Sequence, residues 1–138
     1  MAWREKTAWI TLLAMLAAYG AYFSVIRQSD MSPIGMLELF GGLTVVQIVV
    51  VIVATTVVAI LTGRDVRGRP DERDRAIARR GASVAYYVLL VGVIAVGVIL
   101  PFQDKGWAIT NAALLVLVAA ETVRLIFIVA SYRRGWHG

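Results

Sequence analysis

The sequence predicts an all-α fold, an integral membrane antiparallel four-helix bundle with both termini cytoplasmic, and three observations predict it. Of 138 residues, 59% are hydrophobic, and the mean hydropathy of +0.76 exceeds what a water-facing surface tolerates. Four segments, 7–26, 41–62, 82–100 and 108–132, are apolar over about the 20 residues that a helix rising about 1.5 Å per residue needs to cross hydrocarbon. Basic residues border them unevenly. Arg4 and Lys6, seven arginines from Arg64 to Arg80, and Arg133 with Arg134 stand on one side, against Arg27 and Lys105 on the other. An even number of spans puts both ends on one side, and the positive excess makes it the cytoplasm. The chain reads as a single transmembrane domain, 1–138, with a cytoplasmic loop over 63–81.

The first segment reads as a retained span, although "MLAAYGAYF" sets small residues after an apolar core as a signal peptide does. Ala14, Ala18 and Ala21 give it a small-residue face for close helix approach or a homodimer contact. In "RQSDMSPIG", Asp30 or Ser32 is the expected N-cap of the second helix, with Pro33 at its first position. Gly41-Gly42 offers a bend at the interface. Glu38, close to that N-terminus, reads as charge complementing the helix dipole.

The middle loop, "GRDVRGRPDERDRAIARRG", breaks at Gly68 and Pro70 and then turns helical. Asp71 with Arg75 and Glu72 with Arg75 are spaced for ion pairs, so the third helix is expected to begin in the cytoplasm near Asp71. Pro101 is expected to end it. Gly92 and Gly97 within it allow close packing. The fourth helix follows "QDKGW", with Trp107 as interfacial anchor and Trp3, Trp9, Tyr132 and Trp136 marking the cytoplasmic boundary.

One span carries charge. In "AAETVRLIF", Glu121 and Arg124 are three residues apart, so they share a helix face and can touch. Charges at such depth face the bundle interior, and pairing lowers their cost. Thr110, Leu117 and Ile128 lie on the same face, which is assigned to the interior. Matching depth places Tyr19 at the level of Glu121 and Tyr86 or Tyr87 near Arg124. Thr44, Gln47, Thr55 and Thr62 form a polar stripe on the second helix. The expectation is an intramembrane polar network of Glu121, Arg124, Tyr19, Tyr86, Tyr87 and Gln47. It serves either as packing glue, worth about 1 kcal/mol per contact, or as a site for a proton, an ion or a ligand. The adjacent arginine neutralises Glu121 and argues against proton carrying.

Several functions are excluded or disfavoured. The absence of cysteine removes disulfides, thiolate metal sites and cysteine nucleophiles. The single histidine is His137, and Lys6 and Lys105 only flank spans, so neither a buried haem ligand pair nor a Schiff-base lysine is available. Ser83 has no base in its span, and no carboxylates stand at metal-ligand spacing. The expectation is a protein that is not an enzyme and holds no cofactor or metal. The net charge of +5 lies mostly in segments that border spans. Direct nucleic-acid binding is not expected, because Asp71, Glu72 and Asp74 interrupt the arginines and no aromatic interleaves them. Asp71, Glu72, Arg73, Asp74, Arg75, Arg79 and Arg80 are instead expected to face lipid headgroups or a cytosolic partner.

At "PDERDRAIARRGASVAYYVLLVG" (70–92) and "AETVRLIFIVASYRRG" (120–135) the chain resembles a family of small, uncharacterised four-span prokaryotic membrane proteins. In that family an Asp-Glu-Arg-Asp/Glu segment precedes the third span and a Tyr-Arg-Arg-Gly-like ending closes the fourth. Members are often encoded beside a helix-turn-helix regulator. The resemblance implies a multi-pass protein of the cytoplasmic (inner) membrane, with Asp71, Glu72, Arg73 and Asp74 facing a cytosolic regulator and Glu121 with Arg124 as the intramembrane pair. The function expected is a non-enzymatic sensor or anchor. The alternatives are a small dimeric transporter of a small molecule, or a structural subunit of a membrane complex.

Overall fold

The structure is a computed structural model that describes residues 3–63, 71–102 and 106–135. It is all-α, and no strand occurs among the described residues. Its helices are α1 (Trp3–Gln28), α2 (Pro33–Thr62), α3 (Glu72–Ile94) and α4 (Gly106–Arg133). Each of these, with α3 counted on to Phe102, is long and apolar enough to cross a membrane. The helices outrun the apolar segments most at the starts of α2 and α3, where Ser32 and Asp71 cap them. The chain divides into two compact units, Met1–Arg69 and Pro70–Gly138.

In the first unit α1 and α2 form a hairpin. The buried residues of α1 are Glu5, Ala8, Leu12, Met15, Tyr19 and Tyr22, whose alternating three- and four-residue steps trace one seam of a helix. Ala14 and Ala18 are half-buried and Ala21 is exposed, so the large residues of this seam, rather than the alanines, fill the contact. Near the turn, Phe40 of α2 stacks on Tyr19 at 5.0 Å and meets Tyr22 edge-on at 5.1 Å. Ser32, not Asp30, is the N-cap: its hydroxyl accepts from the Gly35 N–H at 3.2 Å, with Pro33 in the first turn. Helix α2 is unbroken through Gly41-Gly42, and only Met36 of it is buried. Its aliphatic residues are exposed as far as Ile60 (75%) and Leu61 (80%), a surface that lipid tails solvate as readily as protein does.

The second unit pairs α3 with α4. Asp71 caps α3, its Oδ1 accepting from the Asp74 N–H at 2.8 Å. Contacts run antiparallel. A Cβ on Gly92 would stand 2.2 Å from Val116 Cγ1, whereas one on Gly81 would stand 3.3 Å from Ile128 Cγ1 and 3.4 Å from the Arg124 carbonyl. Glycine at 92 thus lets the two backbones approach closely. Past Ile94 the helix does not stop cleanly at Pro101. It widens to a π turn over Ala95–Ile99, with the Leu100 N–H bonded to the Ala95 carbonyl, and then tightens to a 3-10 turn over Leu100–Phe102. Proline supplies no N–H and crowds the carbonyl four residues back, here that of Gly97. A wider turn ahead of it relieves that crowding.

Candidate functional site

Helix α4 is a run of Ala, Leu, Val and Ile interrupted near its middle by Glu121 and Arg124. The two form the expected ion pair. Arg124 Nε donates to both Glu121 oxygens at 3.0 Å, and Nη2 also donates to Oε1. Helical side chains lean toward the N-terminus, so Arg124 reaches back one turn to meet the carboxylate. The side chains of the pair are 37% and 39% exposed. A neutral, doubly bonded pair removes most of the cost of charge at this depth, yet the guanidinium keeps further N–H donors that have no partner among the described residues.

Within the second unit the surroundings of the pair differ from expectation. Tyr86 and Tyr87, expected near Arg124, are 60% and 65% exposed and contact each other edge-on at 5.7 Å. Neither hydroxyl forms a hydrogen bond to Arg124. The reason is helical phase: α3 turns Ile77, Gly81 and Ala85 inward, and the next two residues point about 100° and 200° away from Ala85. In the first unit the Tyr19 hydroxyl shares a hydrogen bond with Thr44 Oγ1 at 3.0 Å. The remaining threonines of the α2 stripe are bonded to their own helix: Thr55 to the Val51 carbonyl and Thr62 to that of Val58. Gln47 is half-buried, and its Oε1 is buried with no partner among the described residues.

The assigned face of α4 is also revised. Leu117 is 55% exposed and Thr110 bonds back to the Gly106 carbonyl. The buried positions are Val118, Ala120, Leu125, Val129 and Ser131. Ile128 does pack inward, on Gly81.

In the loop segment, Arg64, Arg67 and Arg69 lie outside the described residues, as do Lys105, Trp136 and His137. Asp71 is occupied as a cap, and neither it nor Glu72 pairs with Arg75 among the described residues. An aspartate at an N-cap finds backbone N–H groups closer than a side chain one turn away. Asp71, Glu72, Arg75, Arg79 and Arg80 are exposed, and Arg73 and Asp74 are half-buried. Asp74 accepts a hydrogen bond from the Tyr132 hydroxyl, so it ties the start of α3 to the end of α4 rather than facing outward.

Three features escaped sequence reasoning. The Tyr132–Asp74 bond had only a weak signal, a tyrosine at the membrane boundary. Glu5 is 7% exposed, and its place on the Ala8, Leu12 and Met15 seam was the available clue. The third is a half-open apolar groove of about 270 Å³ beside the π turn, between Leu89, Val93 and Gly97 on one side and Ala113, Val116 and Leu117 on the other.

Among the described residues no group of three or more His, Cys, Asp or Glu is placed to hold a metal ion. By length and composition, the four helices make this a multi-pass membrane protein. No family model, curated protein or solved structure matches the chain.

Proposed function

We propose that the chain is a non-enzymatic sensor or anchor of a prokaryotic cytoplasmic membrane. In this reading the Glu121–Arg124 pair receives a cue within the bilayer, and the Asp71 to Arg80 segment, on the cytoplasmic side, carries it to a cytosolic partner. The resemblance of 70–92 and 120–135 makes that partner a helix-turn-helix regulator. One observation carries the proposal: Arg124, Ile128 and Tyr132 are spaced four apart on one face of α4, and that face meets α3. The Arg124 carbonyl and Ile128 lie against Gly81, and Tyr132 bonds Asp74. Coupling between sites needs elements that move together, and this seam joins the ion pair to the segment that bears the exposed Glu72, Arg75, Arg79 and Arg80.

The test is recovery of a cytosolic protein from native membranes by the full chain. Site-directed photocross-linking from position 79 would show whether contact is direct. Glu72→Lys with Arg75→Glu, which spares the cap and Asp74, should abolish both recovery and cross-link. Undiminished recovery overturns the reading.

A small dimeric transporter is the second reading, and the partial exposure of the ion pair favours it. It requires substrate flux in proteoliposomes that Glu121→Gln removes.

A further inference from the structure

We infer that the α3–α4 seam binds a hydrophobic molecule bearing a neutral carbonyl at one end, with its chain in the groove at the π turn and its carbonyl on Arg124. The inference rests on the proposed role of the ion pair as the receiving end and supplies the chemical class of the cue. The groove sits where the π turn and Gly97 leave room: a Cβ on Gly97 would meet nothing within 4 Å, while one turn earlier Gly92 is pressed on Val116. Its walls, Leu89, Val93, Ala113, Val116 and Leu117 among them, are aliphatic, so they offer an occupant contact area and no hydrogen bond.

The polar end follows from the same helix face. Ala113, Leu117 and Arg124 fall within about 40° of one another around α4, and Leu117 is about 10 Å along the axis from Arg124 at 1.5 Å per residue. Arg124 leans back toward Leu117, as its bond to Glu121 shows. A guanidinium has five N–H donors. Glu121 takes Nε and one hydrogen of Nη2, and the others have no partner among the described residues. Donors left bare in hydrocarbon are costly, so an acceptor beside them is favoured. The carboxylate already neutralises the arginine and would repel a second anion, which selects a neutral carbonyl. Leu117, which lines the groove and is 55% exposed, stands on α4 between the groove and the pair.

The experiment uses the full chain in nanodiscs and a long-chain methyl ketone carrying a diazirine in its tail. Adducts mapped by mass spectrometry should fall in 89–97 and 113–117, and excess 2-undecanone should suppress them where undecane does not. The double variant Glu121→Gln/Arg124→Gln, which leaves no stray charge, should weaken labelling about tenfold or more, as loss of a charged donor predicts. Gly97→Leu, placed in open space, should block the tail while leaving the pair intact. Labelling indifferent to both variants, or suppressed equally by undecane, overturns the inference and marks an ordinary lipid-filled groove. The outcomes separate the two proposals. Specific labelling with no partner on the loop removes the sensor reading and keeps the site, whereas a partner on the loop without labelling does the reverse.

Discussion

Gly92→Ala adds a single methyl at the tightest point of the second hairpin. That Cβ would stand 2.2 and 2.8 Å from the two γ carbons of Val116 and 3.0 Å from its β carbon. Rotating Val116 moves the γ carbons but not the β carbon, so α3 and α4 must separate or slide. Overpacking of this order costs about 1–3 kcal/mol, a change of about 5- to 150-fold in the folding equilibrium at 1.4 kcal/mol per tenfold. Reversible unfolding in mixed micelles with rising SDS should show it as an earlier midpoint. Gly20→Ala is the control, because nothing lies within 4 Å of its added Cβ. There the lower backbone entropy of alanine should leave stability equal or raise it by up to about 1 kcal/mol. Val116→Ala in the Gly92→Ala background removes both γ carbons and should recover part of the loss, the 3.0 Å approach of the two β carbons remaining. If Gly92→Ala unfolds with the Gly20→Ala control, or Val116→Ala recovers nothing, the reasoning from close approach is refuted.

Glu121→Gln and Arg124→Gln should each leave one charge unpaired near mid-membrane, where insertion scales set the cost at about 2.5–3.5 kcal/mol. The double variant should be more stable than either single in the same unfolding assay, and strictly additive losses would show that the pair does not act as a unit. Tyr132→Phe deletes the hydroxyl on Asp74 and should cost about 1 kcal/mol, with faster hydrogen exchange confined to 72–80; unchanged exchange would remove the tie between α4 and the loop segment. Ser32→Ala and Asp71→Ala each delete an N-cap worth about 1 kcal/mol, and should raise amide exchange at Gly35 and Asp74 respectively, each without affecting the other.

The elements were legible because lipid imposes a length and a composition that the sequence must display. Caps were legible too, since Ser32-Pro33 and Asp71 are local signals that act on the next turn. The Glu121–Arg124 pair followed from spacing alone, because both partners sit on one helix. What was not legible was rotational phase at positions such as Leu117, Tyr86 and Tyr87. Nearly every position of these spans is apolar, so hydrophobic periodicity does not mark an inward face. Tyr86 and Tyr87 were placed near Arg124 by matching depth, which says nothing of direction, whereas the small residues Gly81, Ala85 and Gly92 set the phase of α3. In a lipid environment close approach selects small residues, and aromatic rings are tolerated outside. Polarity is an equally poor guide on α2, where Thr55 and Thr62 return their hydroxyls to their own backbone.

The same phase argument explains why Asp74, within a segment that reads as uniformly solvent-facing, is drawn inward. Once Gly81 fixes which side of α3 meets α4, Ile77 and Asp74 follow on that side at three- and four-residue steps. Tyr132, four residues past Ile128, arrives opposite Asp74. Charge reversal at Asp74 therefore disturbs the junction of α3 and α4, whereas reversal at Glu72 or Arg75 alters only the exposed surface. A loss of partner binding on changing Glu72 and Arg75 together speaks to recognition. The same loss on changing Asp74 speaks to how α4 holds the segment, so the two variants separate contact from transmission in one assay.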